Sequence, residues 1–177
     1  MSAKKQKTIT YAMFIVYLLL LVGVILFKLP FYSPELSDGI RVINLIPFQG
    51  SFDENGSFVI REVIQNIAIF IPLGIYVSML KKETSVPKMI LMILVFSLCL
   101  EVLQFMFAIG RSDITDVIGN TLGGLIGIAL YVLLSNLFKD RTDKIVNTIA
   151  VIATMYITVR FSQLFYLSHF VMRQLER

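Results

Sequence analysis

The stretch RSDITDVIGNTLGGLIGIALYVLLSNLF, residues 111–138, decides the fold. It opens on Arg111, Ser112 and Asp113 and becomes an apolar run at about residues 115–138, broken near its start by Asp116 and Asn120. At about 1.5 Å rise per residue, a run of this length crosses the hydrocarbon core of a bilayer as a helix. Backbone polar groups have no water to bond there, so helix is the default conformation. Gly119, Gly123 and Gly127 recur at every fourth position. Small residues at this spacing let a second helix approach closely. Packing is their expected role, and Gly124 beside them leaves room for a ligand to approach.

Four further apolar runs follow the same arithmetic, at about residues 10–29, 58–80, 88–109 and 145–170. Hydrophobic residues make up 56 % of the 177, and charged residues only 16 %. A soluble domain usually carries about 25 % charged residues. The balance excludes an ordinary water-soluble enzyme, and it excludes a disordered chain. The expected fold is all-α: a polytopic membrane helical bundle of about five transmembrane helices, forming one domain over residues 1–177. Short connections make neighbouring helices antiparallel. Pro72 inside the second run leaves the carbonyl of Ala68 without its usual partner, so a kink is expected there. The single cysteine, Cys99, rules out an intrachain disulfide and a Cys-based metal site, and packing is its expected role.

The net charge of +4 is a topology signal. Lys4, Lys5, Lys7, Lys81, Lys82, Lys88, Lys139, Arg141 and Lys144 fall on one side of the predicted spans, whereas Arg41, Arg111, Arg173 and Arg177 fall on the other. The positive-inside rule then gives a cytoplasmic N-terminus and an outer C-terminus. Membrane lipids are the expected partners, and nucleic acid is not. The first run is longer than the apolar region of a signal peptide and lacks a small-residue cleavage site, so an uncleaved anchor is expected.

Polar residues within spans are costly and mark functional sites by default. Here they occupy one layer. Glu62, Gln65 and Asn66 share a face of the second span, and Glu101 and Gln104 a face of the third. Asp113, Asp116 and Asn120 would share a side of the fourth if its first turn begins near Ser112, and Arg160 and Gln163 share a side of the fifth. Counting along antiparallel helices brings Glu62 level with Gln104, and Gln65 level with Glu101. These positions lie within the outer half of the bilayer, which predicts a polar pocket open to the extracytoplasmic side. A structural reading competes: Gln and Asn as interhelical glue, Arg61 and Arg111 snorkelling, and Glu101 paired with Arg160. His169 has no second histidine, so neither a zinc site nor a Ser-His-Asp relay is supported. The predicted outer loop, residues 30–57, mixes aromatic and aliphatic residues with polar ones. It suits an interfacial or re-entrant segment over the pocket, or a plain connector.

The sequence resembles the VanZ-like family of small bacterial membrane proteins. The matching motifs are Asn44-Leu45-Ile46-Pro47-Phe48, then Arg61-Glu62 with Asn66 and Phe70-Ile71-Pro72-Leu73-Gly74, then Glu101 with Gln104. The last is Arg111-x-Asp113-x-x-Asp116-x-x-x-Asn120-x-x-Gly123. Together they mark a core at about residues 40–138. The resemblance implies a multi-pass protein of the bacterial cytoplasmic membrane, in a family whose namesake is associated with low-level teicoplanin resistance. It implies neither a reaction nor a cofactor.

Three functions fit these residues. In the first, Arg61, Arg111 and Arg160 bind an anionic envelope substrate, such as a lipid-linked phosphate or a peptidoglycan-precursor carboxylate. Asn66, Gln104, Asn120 and Gln163 complete that binding set, while the carboxylates orient the arginines or bind amines and hydroxyls. In the second, Glu62, Glu101, Asp113 and Asp116 are the candidate catalytic groups of an intramembrane hydrolase or transferase, as acid and base or around a divalent ion. No dedicated metal site is assigned. In the third, the glycine face of the fourth span docks another membrane protein.

Overall fold

Each apolar run is a helix in the computed structural model, which describes residues 3–27, 42–49, 60–107 and 111–175. The helices are α1 (Ala3–Phe27), α2 (Ile60–Leu80), α3 (Val86–Phe107), α4 (Ile114–Phe138) and α5 (Thr142–Leu175). The fold is all-α with one addition. Strand β1 (Val42–Asn44) pairs in parallel with β2 (Arg111–Asp113), placing Val42 opposite Arg111 and Asn44 opposite Asp113. The expected outer loop therefore contains a strand, and the short connection before α4 is a strand as well. Of the expected loop, residues 30–41 and 50–57 lie outside the described residues. Helix α1 begins earlier than its apolar run because Lys, Gln and Ala are good helix formers.

Among the described residues, four helical stretches are long and apolar enough to cross a membrane: Lys5–Ile25, Ile60–Leu80, Val86–Phe107 and Ile114–Arg160. The last is 47 residues long and takes in α4, the 3-10 turn Lys139–Arg141 and much of α5. At about 1.5 Å per residue it is roughly twice the length one crossing needs. Lys139 divides it. Its φ of 48° lies in the left-handed region, and its N–H closes the last turn of α4 on the carbonyl of Ser135.

The chain packs as two compact units, Phe14–Lys139 and Met1–Met13 with Asp140–Arg177. In the larger unit, Leu21, Phe70, Leu73, Met89, Ile93, Leu100 and Ile128 form the buried core. The Tyr17 hydroxyl donates to the carbonyl of Ile69 at 2.8 Å, and Tyr76 stacks at a tilt against both Phe14 and Tyr17. The glycine stripe packs on α2, as its spacing predicts. A Cβ at Gly123 would run into the carbonyl oxygen of Ile67, and one at Gly127 into that of Ile71. From the facing helix, a Cβ at Gly74 would strike the carbonyl of Gly124. Only backbone against backbone fits here, and that contact fixes the spacing of α2 and α4.

Outward-facing positions are apolar. On α3, Leu91, Met92, Val95, Leu98, Val102 and Met106 are all exposed. Cys99 is exposed among them, so it presents a small hydrophobe outward rather than filling the core. In the smaller unit, buried Asn147 donates through Nδ2 to the Oγ1 of buried Thr10 at 2.8 Å.

Candidate functional site

The site is assembled around Asp113. This residue is extended (φ −124°, ψ 126°) and caps α4, its Oδ1 accepting from the N–H of Thr115 at 2.8 Å. A short polar side chain here satisfies one of the N–H groups that a helix start leaves open. Its other oxygen, Oδ2, accepts from Asn44 Nδ2 at 2.9 Å. Asn44 Oδ1 in turn accepts from the N–H of Ile46 at 3.2 Å, and the N–H of Phe48 donates to Thr115 Oγ1 at 2.9 Å. Phe48 has a φ of 63°, unusual for a bulky residue. The segment Asn44-Leu45-Ile46-Pro47-Phe48 is thus clasped to the start of α4.

Glu101 ties the same place to α3. The N–H of Asp113 donates to Glu101 Oε2 at 3.0 Å, and Ser112 Oγ donates to the Glu101 carbonyl at 2.8 Å. Glu101 is 7 % exposed. A buried carboxylate is costly unless hydrogen-bonded, and the turn from β2 into α4 supplies such a donor.

Below the clasp is a cavity of about 410 Å³, lined by Glu62, Gln65, Asn66, Glu101, Gln104, Asp116 and Asn120, with Val24, Ile25, Ala68 and Ile69 as apolar wall. All seven polar lining residues come from α2, α3 and α4. Asn66 Nδ2 donates to Asp116 Oδ1 at 2.6 Å, joining α2 to α4. Asn120 Nδ2 donates to Ser97 Oγ at 2.9 Å, joining α4 to α3. Gln104 Nε2 donates at 2.9 Å to the carbonyl of Ile25, in the last turn of α1. That carbonyl is among those a helix end leaves open. The oxygens Gln104 Oε1 and Asn120 Oδ1 are buried, with no hydrogen-bond partner among the described residues.

Of the residues expected at the site, Glu62, Asn66, Glu101, Gln104, Asp116 and Asn120 line this one cavity. Asp113 sits in the clasp instead, with both carboxylate oxygens accepting from the protein. It does not share a lining face with Asp116 and Asn120, because it precedes the first turn of α4 as its cap. Arg61 is exposed in the first turn of α2, next to Glu62. Arg111 contributes its backbone to β2, and its side chain, like that of His169, lies outside the described residues. Arg160 and Gln163 belong to the smaller unit, where Arg160 Nη1 donates to Gln163 Oε1 at 3.4 Å on an exposed face. Among the described residues, no three of His, Cys, Asp and Glu come together to hold a metal ion.

Several participants escaped the sequence reading. Ser97 precedes Glu101 by one helical turn and Gln104 by two, so its place on that face was legible. Thr115 follows the cap and carried a weaker signal. The carbonyl of Ile25 and the pairing of β1 with β2 carried none.

The model of the VanZ/LLP1 family matches residues 14–139, the same residues as the larger unit. Protein VanZ of Enterococcus faecium is 34 % identical over 155 residues, covering 86 % of this chain and 92 % of that protein. No solved structure matches the chain. With a family match across the unit that holds the cavity, and a relative aligned over most of both lengths, the chain belongs to the VanZ/LLP1 family.

Proposed function

We propose that this protein is a multi-pass protein of the bacterial cytoplasmic membrane, N-terminus inside and C-terminus outside. Its cavity holds the polar part of a lipid-linked envelope molecule on the outer side. The carrying observation is the convergence of seven polar side chains from three apolar helices on one cavity of about 410 Å³. Ligand sites are concave, largely apolar and furnished with a few convergent polar groups, and polar residues within apolar spans mark functional sites by default. The phosphate or carboxylate of such a molecule is assigned to Arg61 and Arg111, which lie beside the lining and clasp residues in sequence. A planar guanidinium suits either anion. The relationship to Protein VanZ supports a role in the response to glycopeptides such as teicoplanin.

The test is native mass spectrometry of the purified protein, in parallel with teicoplanin susceptibility of cells that carry it. Ala68 lines the cavity without a polar side chain, so Ala68→Trp fills the space and leaves every polar group in place. A co-purifying envelope lipid in the wild type, lost in Ala68→Trp together with any protection from teicoplanin, is expected. Retention of the same adduct in the filled variant would overturn the reading.

A second reading, an intramembrane hydrolase or transferase, is favoured by the presence of Glu62, Glu101 and Asp116 on one cavity, since carboxylates in unequal surroundings divide acid and base roles. Turnover of a lipid-linked substrate, abolished in Asp116→Asn while binding persists, would support it. The docking reading loses its motivation, because α2 of the same chain occupies the glycine face of α4.

A further inference from the structure

A second cavity lies at the opposite end of α2, α3 and α4. Its volume is about 420 Å³, and its polar lining is Ser78, Lys82, Thr84, Tyr131, Ser135 and Lys139. The first cavity is lined by acids and amides, whereas this one has two ammonium groups and four hydroxyls. Among the described residues, no Asp or Glu lines it. Glu83, beside Lys82 in sequence, is exposed and outside the wall. Ser78 is 4 % exposed and Tyr131 8 % exposed, so the polar lining reaches below the exposed lysines. Three helix ends meet here. Helix α2 ends at Leu80, two residues before Lys82; α4 ends at Phe138, beside Lys139; and α3 begins at Val86, which is on the wall. A helix end counts as about half a charge, so with one positive and two negative ends the two lysines leave the lining net positive. Lys139 has a φ of 48° and a ψ of −121°, a conformation that glycine dominates. A lysine held there costs backbone energy that a glycine would not, and residues strained in this way cluster at ligand sites.

We propose that this second cavity binds a phosphate group, carried by the headgroup of an anionic phospholipid or by a soluble phosphate. Phosphate oxygens are strong acceptors, and each lysine ammonium brings three N–H donors and a point charge. The hydroxyl of Thr84 adds a further donor. The protons of Ser78 and Ser135 go to the carbonyls of Gly74 and Val132, at 2.9 and 2.8 Å, so these two residues shape the wall rather than hold the anion. Basic pockets between membrane helices on the cytoplasmic side suit acidic headgroups. In the topology proposed above, this end faces the cytoplasm, which makes the lipid source an inner-leaflet lipid. The binding chemistry depends neither on that orientation nor on what occupies the first cavity. Lysines that only cap the ends of α2 and α4 would give no headgroup preference.

The experiment is native mass spectrometry of the purified full-length protein in detergent, with phosphatidylglycerol and phosphatidylcholine of identical acyl chains. Phosphatidylglycerol is expected to bind at least about tenfold more tightly, from two lysines at its headgroup. Lys82→Gln combined with Lys139→Gly is expected to remove most of that preference. Lys81→Gln combined with Lys88→Gln takes the same charge from exposed positions at the same end, outside the lining, and is expected to leave the preference in place. Lys139→Gly relieves the strained backbone, so thermal unfolding should show it no less stable than wild type. Displacement of the lipid by excess inorganic phosphate assigns the cavity to a soluble phosphate, and resistance to displacement assigns it to the lipid. Equal binding of the two lipids by the wild type overturns the proposal. So does a preference that survives Lys82→Gln with Lys139→Gly, or one that falls equally in the two lysine pairs. If the first pair fails to fold, Lys82→Gln alone decides: a preference reduced several-fold is expected, and an unchanged one overturns the proposal.

Discussion

Alanine substitution along the glycine stripe of α4 should give opposite outcomes at neighbouring turns. Replacing glycine by alanine inside a helix gains about 1 kcal/mol of propensity. Against this stands the space that the new Cβ must occupy. At Gly123 it runs into the carbonyl of Ile67, with that residue's Cα still only 3.0 Å away. At Gly127 it runs into the carbonyl of Ile71, with Gly74 Cα at 3.0 Å. These are backbone atoms, so no rotamer change relieves them and the two helices must separate. Overpacking costs typically about 1–3 kcal/mol, and with backbone as the obstacle we take the upper end. Subtracting the propensity gain leaves Gly123→Ala and Gly127→Ala each less stable by about 2 kcal/mol. At Gly119 the nearest atoms are Asn66 Cβ at 3.4 Å and the Val63 carbonyl oxygen at 3.6 Å, which are ordinary contacts. Gly119→Ala should therefore match or exceed wild-type stability. Unfolding in mixed micelles, followed by far-UV circular dichroism, reads all three. The account of the α2–α4 contact is wrong if Gly119→Ala is as damaging as the others, or if Gly123→Ala and Gly127→Ala are not destabilised.

Other contacts give further expectations. Asp113→Ala removes the cap of α4 and the acceptor of Asn44, and should cost about 1–2 kcal/mol. Asp113→Asn, still a good cap, should cost less, and a double-mutant cycle with Asn44→Ala should show coupling; zero coupling would deny the clasp. Thr10→Val strips Asn147 Nδ2 of its acceptor in the smaller unit, at about 1 kcal/mol. The pair Thr10→Val with Asn147→Leu should lose less than the sum of the single changes, which equilibrium unfolding of the four proteins decides. Cys99, exposed on the apolar face of α3, should react in membranes with a lipid-soluble maleimide faster than with a charged, membrane-impermeant one. The reverse order would remove that face from lipid.

The five helices were legible because membrane crossing demands one thing over a fixed length: about twenty apolar residues. The cavity was legible for a related reason. Residues such as Glu62, Glu101 and Asp116 are conspicuous against that background, and helix geometry assigns each a face and a level. Asp113 shares a face with Asp116 and Asn120 only if the first turn begins near Ser112; α4 begins at Ile114, and an acid just before an apolar run is also the usual signature of an N-cap. Periodicity treats the cap as another turn of helix, whereas the chain there is extended. The pairing of Asn44 with Asp113 spans 69 positions, and strands of three residues have too little pattern to be read. The carbonyl of Ile25 has no side-chain signature at all, yet it determines which end of the Gln104 amide is bonded to α1.

The acids of this chain divide by what already holds them, and that division governs how any substitution can be interpreted. Both oxygens of Asp113 accept hydrogen bonds from the chain itself, so its loss would disturb the start of α4 whatever the cavity does. Glu101 belongs to both structures. Its carbonyl and carboxylate hold β2 through Ser112 and the N–H of Asp113, and its side chain also lines the cavity. Glu101→Ala therefore removes a tie and a cavity group together, and loss of function in that variant would not separate binding from folding. Glu101→Gln keeps an oxygen for the N–H of Asp113 and removes only the charge. Asp116→Asn likewise leaves an oxygen for Asn66 Nδ2 to reach. Glu62 is exposed at the start of α2 and lies outside the clasp, so Glu62→Gln carries the least structural cost of the three. If the charge of this layer serves a ligand, the isosteric amides lose function while keeping stability. If it serves only the clasp, Glu101→Gln loses stability and function together, as Asp113→Ala does, and Glu62→Gln and Asp116→Asn leave both unchanged.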